Sequence, residues 1–75
     1  MKEDMRISTK GLNCPKPLIE TRKALRKLTG GQVLVVDGDH EVSKKEIPQA
    51  VLDTGDEVVS VEGTGSDWTI TIRKG

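Results

Sequence analysis

The chain has one cysteine, Cys14, in the stretch Gly11-Leu12-Asn13-Cys14-Pro15-Lys16-Pro17. A thiol can act as a nucleophile, a sulfur carrier or a redox centre, and which of these is open to it depends on its pKa and its exposure. Downstream, Leu18, Ile19, Ala24, Leu25 and Leu28 recur at helical spacing and Gly30-Gly31 supplies a stop. The pattern predicts a helix of about four turns beginning at or near Cys14. If Cys14 is the N-cap, Pro15 falls at N1 and Pro17 at N3, where the missing N–H groups would have had no intrahelical acceptor. Each proline also disfavours the α region for the residue before it, so the helix can instead start as late as Pro17, with Cys14 on a stiff extended lead-in. In both cases a thiolate at Cys14 feels the helix N-terminus and the Lys16 ammonium. Both lower a cysteine pKa from about 8.5, which makes the thiol reactive at neutral pH. A lone cysteine is often a buried small hydrophobe. Here the neighbours Asn13, Pro15 and Lys16 belong to loop chemistry and predict exposure.

The remaining segments read as the scaffold for that turn. Met5-Arg6-Ile7-Ser8-Thr9 alternates apolar and polar residues as a short edge strand does, with Lys10-Gly11 as its exit. Gln32-Val33-Leu34-Val35-Val36-Asp37 is a continuous aliphatic run bounded by Gly30-Gly31 and Asp37-Gly38-Asp39, the pattern of a central strand buried on both sides. Strand, helix, strand in that order implies a parallel crossover. Ser43-Lys44-Lys45-Glu46 has the spacing of a capping box, and Ile47, Ala50 and Val51 form a short apolar stripe ending at Thr54-Gly55. With Ser43 as N-cap, Pro48 falls just beyond the tolerated first turn, which moves the expected start of regular helix toward Glu46. Glu57–Glu62 and Trp68–Arg73 alternate and are joined by a glycine-rich loop, as in a β-hairpin. The expected order is βαβαββ: one domain over residues 1–75, an α/β (α+β) two-layer sandwich with a four-stranded mixed sheet and two helices on one face.

Composition bounds the function. A chain of 75 residues buries only about 60% of its unfolded surface, so a deep internal pocket is not expected. With no Phe or Tyr and a single Trp, the core must come from Val, Ile and Leu. One cysteine cannot form an internal disulfide and is too few for a thiolate zinc site, so no metal is expected and the chain suits a reducing compartment. The charged opening Met1–Arg6 lacks an apolar leader and no stretch is long enough to span a membrane, so the cytoplasm is expected. A net charge of zero hides an asymmetry. Residues 1–30 hold eight Lys+Arg against three Asp+Glu, and residues 31–75 hold four against nine, balances of +5 and −5. In the first half, Arg22, Lys23, Arg26 and Lys27 form a basic helix face near Cys14 that suits an acidic protein partner. Neutral overall charge and the lack of aromatics argue against nucleic acid. His40 reads as a turn histidine without chemical duty, and Trp68 as a core residue sharing a face with Ile70 and Ile72. Gly63-Thr64-Gly65 precedes no helix and does not read as a phosphate loop.

The stretch Gly11–Pro17 resembles the Gly-Leu-x-Cys-Pro-x-Pro signature of the TusA/SirA sulfur-carrier family, and the likeness runs nearly the length of the chain. Ser43-Lys44-Lys45-Glu46-Ile47-Pro48 is similar to the start of that family's second helix, and Ile72-Arg73-Lys74-Gly75 to its closing strand. The resemblance implies a small carrier that needs no cofactor beyond a covalent persulfide on Cys14, and a monomer is expected. A cysteine desulfurase or rhodanese-like protein would supply the sulfur. A protein acceptor in tRNA thiolation, molybdenum-cofactor assembly or related sulfur metabolism would take it. It also implies supporting places for Gly11, Leu12, Asn13, Pro15, Lys16 and Pro17. With no second cysteine to resolve a disulfide, the chain would act as a co-substrate of a relay rather than as a stand-alone enzyme. The alternative is a redox-sensing interaction module that uses Cys14 and the basic helix.

Overall fold

The computed structural model describes residues 3–13, 16–63 and 67–75. The elements follow the expected order: β1 (Met5–Ser8), α1 (Lys16–Arg26), β2 (Val33–Gly38), α2 (Glu41–Asp53), β3 (Glu57–Glu62) and β4 (Trp68–Arg73). They form one sheet in the order β1-β2-β4-β3, with β1 parallel to β2 and the other pairs antiparallel. The aliphatic run is therefore central, and β1 and β3 are the edges.

Register decides which residues meet. Met5 lies opposite Leu34 and Ile7 opposite Val36, while Leu34 and Val36 lie opposite Ile72 and Ile70, so one face of the sheet is apolar across three strands. Ala24, Leu25 and Leu28 from the first helical segment and Ile47 and Val51 from α2 pack onto it with Trp68, so both helices cover that face. Leu34, Val36, Ile47, Ile70 and Ile72 are fully buried, and each such side chain is worth about 1.5–3 kcal/mol of transfer free energy. The prediction that β2 is buried on both sides also holds, but no helix covers its second face. Val33 and Val35 are 5% and 8% exposed among the sheet's own side chains, with Arg73 opposite Val33, and Arg6 and Thr71 flanking Val35. These arginines are held by Glu57 at 2.9 Å and by Asp37 at 2.9 Å, so their stems stay over the valines. The chief irregularity is a register shift between Val58 and Ser60, a bulge at Val59 in edge strand β3.

Two boundaries differ from expectation. The first helix is shorter than four turns. It spans eleven residues, and past Arg26 the chain tightens into i→i+3 turns, Lys27 N–H to Ala24 C=O and Leu28 N–H to Leu25 C=O, both 3.1 Å. Its start at Lys16 lies between the two expected starts; the assignment of Cys14 as N-cap and Pro15 as N1 lies outside the described residues. The second helix starts before Ser43, not at or after it. His40 is the N-cap, with extended backbone, and Ser43 is 1% exposed inside the first turn with its hydroxyl 3.1 Å from His40 Nδ1. The reason is tertiary: the Trp68 indole N–H donates to the His40 carbonyl at 2.9 Å, and this tie to the core outweighs the local capping signal. Pro48 consequently lies inside α2, held between the buried Ile47 and Val51.

The lower end of the fold is closed by Asp56, 6% exposed just after α2. Burial alone would raise its pKa. The Gly75 amide at 2.8 Å, the Thr54 hydroxyl at 2.9 Å and the Lys74 ammonium at 3.6 Å outweigh it and hold the carboxyl below its ordinary 3.8. Burial likewise opposes ionisation of Asp37, and there the Thr69 hydroxyl and the Arg6 guanidinium prevail and lower its pKa. Both groups are depressed in the folded state. Their stabilisation is therefore complete above 3.8 and is lost as pH falls through the lowered values. Urea unfolding should show stability flat near neutrality and falling below about pH 4, with a shallower acid slope in Asp56→Ala than in the wild type.

Candidate functional site

The site is built where the β1–α1 connection crosses the end of the sheet at which β1 and β2 finish and β4 begins. Thr9, fully buried, anchors the connection with two bonds to the Asp37 carbonyl, from its amide at 2.7 Å and its hydroxyl at 3.0 Å. Beneath it, Gly38 faces the Trp68 ring so closely that a Cβ would run into the indole and lie 2.7 Å from Thr9 Oγ1. The ring then reaches the His40 carbonyl through its N–H. Trp68 is thus the core residue expected of it. His40, expected to have no chemical duty, has a structural one: its backbone receives the indole and its ring meets Ser43.

Gly11 has φ +83, a left-handed conformation that side-chain-bearing residues adopt at a cost, and its N–H donates to Asp39 Oδ1 at 3.0 Å. The Leu12 N–H donates to the Thr9 carbonyl at 3.1 Å and Leu12 is half-buried. Asn13 is exposed, and its carbonyl accepts the Lys16 N–H at 2.8 Å. Lys16 is exposed at the first position of α1, and Pro17 is buried, its carbonyl accepting the Thr21 hydroxyl at 2.8 Å. That bond satisfies the buried Thr21 within its own helix. Cys14 and Pro15 lie outside the described residues, between two segments that are each pinned. The first turn of α1 carries no acidic residue, so nothing in it offsets the Lys16 charge or the positive end of the helix.

The four expected partner-binding cations are all exposed. Arg22 and Arg26 edge a cleft of ≈ 390 Å³ between α1 and α2, floored by Leu18, Leu25, Ala50 and Val51. Lys23 instead lies 3.4 Å from Glu20, and Lys27 follows the end of the helix. Arg22 and Arg26 thus line the cleft, and Lys23 and Lys27 do not. Among the described residues no group of three His, Cys, Asp or Glu side chains could hold a metal ion, and no helix is long and apolar enough to cross a membrane. Asp39, Gly38 and Thr9 escaped the sequence reading. Asp37-Gly38-Asp39 signalled only the end of a strand, and nothing in its composition shows that one of its carboxylates reaches another loop.

Replacing Gly38 with Ala should cost about 2–3 kcal/mol in urea unfolding, because the new methyl has only the indole and a buried hydroxyl to displace. Gly11→Ala, strained but sterically open, should cost about 1–2 kcal/mol.

Residues 5–74 match the family model described as Sulfurtransferase TusA. A putative sulfur carrier protein of Thermotoga maritima is 38% identical over 68 residues, covering 89% of this chain and 86% of the relative. The sulfur carrier protein TusA of Allochromatium vinosum is 31% identical over 71 residues, covering 95% of this chain and 93% of the relative. The crystal structure of a SirA-like protein from Desulfitobacterium hafniense superposes with a TM-score of 0.81 at 28% identity, over 95% of this chain and 97% of that one.

Proposed function

This chain belongs to the TusA sulfurtransferase family, and we propose that it is a sulfur carrier that holds sulfur as a persulfide on Cys14 and hands it from one protein to another. The observation that carries this reading is that the family match spans residues 5–74 of a chain with a single cysteine. A carrier that binds sulfur through a thiol has no other atom here to use.

The transfer is exchange at sulfur. The Cys14 thiolate attacks the terminal sulfur of a donor persulfide; a bond forms between Cys14 Sγ and that sulfur, the donor's S–S bond breaks, and the donor leaves as a thiolate. The acceptor thiolate then attacks the same terminal sulfur and Cys14 returns to the thiolate. Neither step needs an external oxidant or reductant. The donor is a cysteine desulfurase or rhodanese-like protein, and the acceptor a protein thiol of a relay such as those of tRNA thiolation or molybdenum-cofactor assembly. Lys16 and the helix N-terminus favour the anionic sulfur, and the flanking Gly11 and Pro17 are held by the fold. Arg22 and Arg26, assisted by Lys23 and Lys27, draw acidic partner surfaces toward Cys14.

Incubation with a cysteine desulfurase and cysteine should add the mass of sulfur to the wild type and none to Cys14→Ser. Equal loading of the two proteins, or no loading of either, removes the reading. Reversing charge in Arg22→Glu/Arg26→Glu should slow association with the donor roughly tenfold at low salt and flatten its salt dependence, measured by stopped-flow, while the Cys14 alkylation rate is unchanged.

A further inference from the structure

We infer that Asp39 is the positioning residue of the stretch that leads into Cys14, acting through the Gly11 amide. The inference rests on the carrier reading for its purpose and on separate geometry for its mechanism. Cys14 stands between two flanks. On the downstream side, α1 and the buried Pro17 supply a rigid wall. On the upstream side, Gly11 has little steric restraint of its own: with no Cβ it reaches positive and negative φ with similar ease. Beyond the anchor at Thr9, the described residues of that flank make one hydrogen bond to another part of the fold, from Gly11 N–H to Asp39 Oδ1 at 3.0 Å. That bond selects the conformation with φ +83 from those open to the glycine.

Asp39 is suited to the task because its own backbone cannot drift. Gly38 before it is wedged against the Trp68 ring, and the His40 carbonyl after it is held by the indole N–H. The carboxylate therefore carries the rigidity of the core across to a connection that lies outside it. Holding Gly11 fixes the direction in which the chain leaves it toward Asn13. Because a helix N-terminus favours a thiolate, freeing that direction should move the Cys14 pKa toward the ordinary cysteine value.

The acceptor function and the charge of Asp39 can be separated. Asp39→Asn keeps an oxygen for the Gly11 amide and loses the charge; Asp39→Ala loses both. Three quantities are read in each variant: the pH midpoint of Cys14 alkylation by iodoacetamide, the rate of sulfur loading from a desulfurase, and hydrogen exchange of the Gly11 amide. Asp39→Ala should raise the alkylation midpoint, slow loading roughly fivefold to tenfold and expose the Gly11 amide, with its urea midpoint near that of the wild type. Asp39→Asn should keep the Gly11 amide protected, load at a rate near the wild type and show a midpoint at or below it, since loss of a nearby negative charge favours the thiolate. If the two variants coincide in midpoint and loading, or if the wild-type Gly11 amide exchanges as an unprotected one, the inference is overturned. Should Asp39→Ala not fold, Asp39→Glu, which keeps the charge and misplaces the oxygen, takes its place with the same expected losses in midpoint, loading and protection. Failure of the wild type to load sulfur would instead remove the carrier reading, and the alkylation and exchange readouts would still decide the role of Asp39.

Discussion

The contact on which the rest of this molecule depends is the Trp68 indole lying against Gly38. The ring is the largest side chain the sequence offers its core, and glycine is the one residue that lets a neighbouring strand pass so close to it. Because the ring N–H continues on to the His40 carbonyl, one side chain closes the core, fixes the exit of β2 and sets the first residue of α2. Thr9 touches the same place from the other connection. Two loops that sequence separates by almost thirty positions are in this way referred to a common rigid point.

Much of this was legible in the residues alone, for physical reasons that differ between elements. The sheet was readable because its burial follows the side-chain period of two: Trp68, Ile70 and Ile72 share a face, and the unbroken run Val33–Val36 admits only a central position. The second helix was misplaced at its start because Ser43 and Glu46 have capping-box spacing, and local spacing carries no information about an indole arriving from 28 residues away. The length of the first helix was overstated for a similar reason. Leu28 continues the apolar period, yet the chain has already tightened by then to bring it into the core. Of the site, the signature stretch announced itself by composition. The carboxylate of Asp39, which meets it, was invisible, since a hydrogen bond between loops leaves no periodic trace.

The distribution of charge follows a division of labour between the faces of the sheet. The helix-covered face is aliphatic, while the other is laced by Arg6, Asp37, Thr69, Arg73 and Glu57, whose contacts hold long side chains over Val33 and Val35. The sheet thereby shields its second face without spending a helix on it, and α1 keeps Arg22 and Arg26 exposed in the helical layer on the opposite side of the molecule.

A sheet with two unpaired margins in a small protein faces a hazard of its own, because bare backbone amides and carbonyls invite a second copy to add on. The β3 margin meets it with its end residues and its bulge. Were two such strands to pair antiparallel along their full length, Glu57 of each would stand opposite Glu62 of the other, and the irregularity at Val59 would interrupt the ladder between them. The half-exposed valines of that strand are thus fenced by like charge, and runaway stacking of copies into fibres is opposed by the same six residues that would otherwise nucleate it.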